Sequence, residues 1–111
     1  MTIDEESLDG IRVLVLEGRL DSSTCDALGE RMEALIAQGE VRLLLDCAAL
    51  GFVSSAGLRV ILVAARQAKA AGGSLSLCGL QPPVQEVFDL SGFSSILAVH
   101  PDRASILQGS G

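Results

Sequence analysis

The chain has 111 residues, with 8 basic and 14 acidic side chains for a formal net charge of −6; 49% of it is hydrophobic and 3% aromatic. A chain of this length suits one domain that buries roughly two-thirds of its unfolded surface without staples. The acidic balance and the absence of Trp and Tyr argue against nucleic-acid binding, which uses a basic stripe and aromatic platforms, and against an anionic membrane surface.

From the N-terminus, Ile3 to Leu8 reads as a strand, the Asp9-Gly10 pair as a hairpin turn, and Ile11 to Glu17 as a second strand. In that strand Ile11, Val13 and Val15 share one face and Arg12, Leu14 and Leu16 the other. From Ser23 to Ala37 the period changes: Ala27, Leu28, Met32, Leu35 and Ile36 mark one face of a helix, Ser23 and Asp26 read as a capping box, and Gly39 as its stop. Val41 to Asp46 is a strand covered on both faces, followed by a loop over Cys47 to Val53.

Ser55 to Ala71 is helical with Leu58, Ile61, Leu62, Ala65 and Ala68 as its core stripe, and Gly72-Gly73 ends it. Ser74 to Cys78 alternates as a strand, and Gln81-Pro82-Pro83 opens a third helix with Val84, Val87 and Phe88 as apolar positions, Ser91-Gly92 as its stop and Phe93 as a further apolar position beyond it. Ile96 to Val99 is a short strand, His100 sits in a Val-His-Pro turn, Pro101 to Leu107 is a last helical segment, and residues 108–111 are a loose tail. The order β-β-α-β-α-β-α-β-α implies one α/β domain over residues 1–111, with helices packed on a mixed, mostly parallel sheet.

No apolar run approaches the ~20 residues that span a bilayer, and the N-terminus MTIDEESLDG is acidic and polar. A cytoplasmic protein without a signal peptide or membrane insertion is expected. Cys25, Cys47 and Cys78 lack a Cys-x-x-Cys spacing, which fits small buried side chains in a reducing compartment rather than disulfides or a thiolate metal site. The single histidine, His100, has no G-x-S-x-G elbow to serve, and the acids lack metal-ligand spacing. No catalytic site, metal or cofactor is expected.

The informative segment is Phe52-Val53-Ser54-Ser55-Ala56-Gly57-Leu58. It brings two hydroxyls to the start of a helix, where free amides and the positive end of the dipole favour an oxygen or an anion. Two readings stand: a plain N-cap on Ser54 or Ser55, or a phosphorylation site whose added charge the helix terminus tolerates. On a helical wheel Ser55, Arg59, Val63 and Arg66 lie together beside the core stripe, with Val60 almost opposite the core. The off-core valines are either scattered exposed apolar residues or a docking surface, and Arg59 either a solvated charge or a counter-ion for a phosphoserine.

Three segments carry a family resemblance: Gly18-Arg19-Leu20-Asp21; Leu43-Leu44-Leu45-Asp46 followed by Val53-Ser54-Ser55-Ala56-Gly57-Leu58; and Asp89-Leu90-Ser91-Gly92-Phe93. In this order they resemble a STAS domain, specifically the free-standing bacterial antagonists of anti-sigma factors. The resemblance implies partner switching. The unphosphorylated protein binds an anti-sigma factor of the histidine-kinase-like ATPase type and frees a sigma factor. The same partner, acting as a serine kinase, phosphorylates it and is driven off, and a serine phosphatase resets the cycle. The implied phosphoacceptor is Ser55, two residues before Gly57, with Ser54 the alternative because it stands where the family usually has Asp; Ala56 stands where it has Ser or Thr. The implied partner surface is Asp21, Ser54, Ser55, Gly57, Arg59, Val60 and Val63. A non-phosphorylated accessory subunit of a transporter or lipid-trafficking complex is the alternative function, and a small nucleotide-binding protein or phosphohydrolase a third.

Overall fold

The computed structural model describes residues 1–92 and 97–104. Within them lie β1 (Thr2–Leu8), β2 (Ile11–Leu20), α1 (Cys25–Ala37), β3 (Arg42–Val53), α2 (Ser55–Ala70), β4 (Ser74–Cys78), α3 (Pro82–Ser91) and β5 (Ala98–His100). The five strands form one sheet in the order β1-β2-β3-β4-β5. The β1–β2 pair is antiparallel and all others are parallel. Asp9 and Gly10 both take positive φ, 50° and 81°, so the hairpin turn has the left-handed pair its dipeptide favours.

Alternation sends Leu14 and Leu16 of β2, Leu43, Leu45 and Cys47 of β3, and Leu75 and Leu77 of β4 into the main core. Leu28, Met32 and Leu35 of α1, Leu58 and Ile61 of α2, and Val84 and Phe88 of α3 pack against them. Ile11, Val13, Leu44 and Cys78 form a smaller cluster apart from this core. Arg103 bonds Asp46 Oδ2 at 2.8 Å and Glu6 at 2.9 and 3.2 Å, tying residues from both ends of the chain to β3. All three cysteines are buried and free; burial pushes the Cys47 thiol up, and the Cys78 thiol to about 11. Among the described residues no helix is long and apolar enough to cross a membrane.

Several local expectations need correction. Residues 47–53 are strand, not loop. Register shifts between Val15 and Glu17 and between Gly18 and Arg19 accommodate extra residues on β3, so its buried positions run Cys47, Leu50, Val53 instead of alternating. Helix α1 starts at Cys25 with Thr24 as N-cap and no side-chain cap bond, so Ser23 and Asp26 form no capping box. His100 ends β5 instead of sitting in a turn. Phe93, Ile96 and residues 105–111, with the last three residues of the expected last helix and the whole tail, lie outside the described residues.

Candidate functional site

Helix α2 begins where the ends of β2 and β3 meet. The Ser54 amide donates to the Leu20 carbonyl at 2.8 Å, which pins the helix start to the last residue of β2. Ser54 is extended, with φ −86° and ψ 171°, and its hydroxyl accepts the Gly57 amide at 3.2 Å. It is therefore the N-cap, and its oxygen is engaged. Ser55 is the first helical residue and exposed, and its hydroxyl makes no hydrogen bond among the described residues. The adjacent hydroxyls thus differ: one is built into the helix start and the other faces solvent.

Gly57 makes this junction possible. A Cβ there would lie 2.7 Å from Leu20 Cγ and 3.0 Å from the Leu20 carbonyl oxygen, too close for any other residue without a shift. Asp21 follows Leu20 directly. Its Oδ1 accepts the Ser23 amide at 2.9 Å and the Ser23 hydroxyl at 2.6 Å, while its own amide donates to Thr24 Oγ1 at 2.9 Å. The Ser23 hydroxyl, then the Ser23 amide, with smaller contributions from Thr24 and Arg19, hold the Asp21 carboxyl below the usual carboxylate range. Asp21 is an ionised side chain that shapes the turn between β2 and α1.

On the same rim the Arg19 guanidinium sits 4.3 Å over the Phe52 ring, which is 38% exposed. This cation–π pair went unrecognised from the sequence. The shifted register that pairs Arg19 against Phe52 has no signature in composition.

Farther along α2, Arg59 is exposed and Val63 is 46% exposed. Val60 is not opposite the core: it is partly buried, packs against the main cluster, and its Cγ1 would lie 3.1 Å from a Cβ at Gly29 of α1. The buried face of α2 is Gly57, Leu58, Ile61, Ala64 and Ala68, so the stripe is rotated from the expected one and Leu62 and Ala65 are only partly buried. The structure therefore gathers Asp21, Ser54, Ser55 and Gly57 at one end of the sheet. Arg59 and Val63 lead away from it on the outer face of α2, and Val60 lies in the seam with α1.

The sequence profile of the STAS domain family matches residues 2–106. A Bordetella bronchiseptica protein, BtrV, that carries the name of an anti-sigma factor antagonist is 40% identical over 103 residues, covering 93% of this chain and 89% of its own. The anti-sigma F factor antagonist of Paenibacillus polymyxa is 29% identical over 108 residues, 96% of this chain and 92% of its own. An anti-sigma factor antagonist from Mycobacterium paratuberculosis shares the fold with TM-score 0.87 at 23% identity, over 97% of this chain and 92% of its own. The Bacillus cell-fate determinant SpoIIAA, solved in its phosphorylated form, shares it with TM-score 0.75 at 22% identity, over 96% and 98%. By profile, by identity and by fold, the chain belongs to the STAS domain family.

Proposed function

We propose that this protein is an anti-sigma factor antagonist whose Ser55 state controls docking to a kinase-like anti-sigma factor. The likeness to BtrV, named for antagonism of an anti-sigma factor, supports an anti-sigma factor as the partner. The single observation that carries the switch is the division of labour at α2, where Ser54 holds the cap while the Ser55 hydroxyl is exposed and unengaged. Unmodified, the rim formed by the Asp21 turn, Ser54, Ser55 and the close-packed Gly57 backbone, continued by Arg59, Val60 and Val63, binds the anti-sigma factor and releases its sigma factor.

The partner, acting as a serine kinase, then transfers a phosphoryl group from ATP to Ser55 Oγ. The added charge of about −1.5 to −2 sits at a helix N-terminus with Arg59 one turn on, so the fold tolerates it. A partner surface closing over the same spot must desolvate that charge, which ejects it. A serine phosphatase restores the hydroxyl. Incubation with the purified anti-sigma factor and ATP, followed by mass spectrometry, tests the assignment. Phosphate is expected on Ser55 and absent from Ser54, and the Ser55→Ala variant stays unmodified. Phosphate on Ser54 alone, or on neither serine, overturns the assignment.

A further inference from the structure

Beyond the start of α2, the outer faces of α1 and α2 lie side by side with opposite charge. Helix α1 presents exposed Asp26, Glu30 and Glu33, and α2 presents exposed Arg59, Val63 and Arg66. None of these charged side chains has an ion pair among the described residues, whereas Arg12, Arg19, Arg31 and Arg103 each have an acidic partner. A groove of about 300 Å³ runs between α1 and the Arg59–Val63 part of the α2 stripe, lined by the three α1 acids on one side and by Arg59, Val60 and Val63 on the other, while Arg66 lies past it on the flank of α2 toward β4.

The two stripes also match in length. Asp26 and Glu33 are seven residues apart, as are Arg59 and Arg66, and both spans measure about 10 Å at 1.5 Å per residue. The helices run in the same direction, because each carries the chain between parallel strands. A two-fold axis through the groove lays α1 of a second copy antiparallel on α2 of the first. Asp26 of each copy then meets Arg66 of the other and Glu33 meets Arg59, with the exposed Val63 side chains at the level of the axis.

We infer that this face takes a second copy of the chain, forming an isologous dimer held by reciprocal Asp26–Arg66 and Glu33–Arg59 pairs around Val63. Acid and base stripes of equal length are self-complementary under a two-fold axis, which favours a second copy over an unrelated partner. Exposed ion pairs contribute little each, so the dimer is weak, with a dissociation constant on the order of 100 µM. Arg59 and Val63 also belong to the proposed anti-sigma surface, so the dimer and that complex exclude one another; the dimer itself needs no anti-sigma factor.

Sedimentation velocity of the full chain from roughly 10 µM to 1 mM, bracketing that constant, tests it. The wild type is expected to pass from monomer to dimer, and Arg59→Glu and Glu33→Lys each to weaken the dimer by about tenfold or more. The double variant Glu33→Lys/Arg59→Glu is expected to regain it, because the same pairs form with their signs exchanged. A wild type that stays monomeric throughout, single reversals without effect, or a double variant no better than the singles overturns the inference. Since the measurement contains no anti-sigma factor, its failure leaves the Ser55 switch standing, and failure of the switch leaves the dimer standing.

Discussion

At the start of α2 the Ser54 oxygen accepts the Gly57 amide while its own amide reaches the Leu20 carbonyl, so this residue couples helix to sheet and leaves the neighbouring Ser55 hydroxyl to solvent. The close approach is set by Gly57. A methyl group there would meet Leu20 Cγ at 2.7 Å and its carbonyl oxygen at 3.0 Å, and relief requires α2 to retreat from β2. Gly57→Ala is expected to destabilise the fold by about 1–3 kcal/mol and to shift the Ser55 rim with it; urea denaturation reads the first effect. Asp21 offers a pH test. Hydrogen bonds from Ser23 depress its folded-state pKa, so its contribution to stability is fully present above the ordinary carboxylate range and is lost as pH falls through the depressed value. Below about pH 4 the wild type is expected to lose stability more steeply than Asp21→Asn. Equal slopes in acid denaturation would remove Asp21 from the turn's support.

Among the elements, helix α2 and the serines that open it were legible because Leu58, Ile61 and Ala68 recur at helical spacing just after a hydroxyl pair. Its rotation was not. Larger apolar residues drew the expected stripe toward Leu62 and Ala65, whereas the structure buries Gly57 and Ala64, small residues that let a helix lie close to a sheet. Strand β3 was half legible: Arg42 to Asp46 follow the expected pattern, and beyond them the register shifts against β2 replace alternation with the three-residue steps Cys47, Leu50, Val53, a spacing that sequence alone cannot tell from a loop. The stop of α2 separates two glycines that look equivalent in sequence. Gly72 has φ +88° and open space around it, whereas a Cβ on Gly73 would fall 1.9 Å from the Val41 carbonyl oxygen that accepts the Ser74 amide. Gly72→Ala is expected to cost about 1 kcal/mol through its left-handed backbone. Gly73→Ala is expected to cost about 3 kcal/mol or more, because β3 and β4 must part. Thermal melts of the two variants check the order, and equal losses would contradict it.

Across the whole molecule, the acidic charge of −6 is unevenly laid out. The α2 sequence Ser55–Ala70 contains Arg59, Arg66 and Lys69 and no acid, so a basic helix lies beside the acidic face of α1, with Ser55 at its first position. The proposed phosphorylation there would take the net charge to about −8 at the end of a cationic helix, changing the proposed docking surface while Ser54 and Gly57 keep the fold intact. The most direct test of the proposed switch is calorimetric titration of its proposed partner, a kinase-like anti-sigma factor, with wild type, Ser55→Ala and Ser55→Asp. Wild type and Ser55→Ala are predicted to bind with affinities within a few-fold of each other, and Ser55→Asp at least about tenfold more weakly. Binding by Ser55→Asp as tight as wild type would contradict the Ser55 switch.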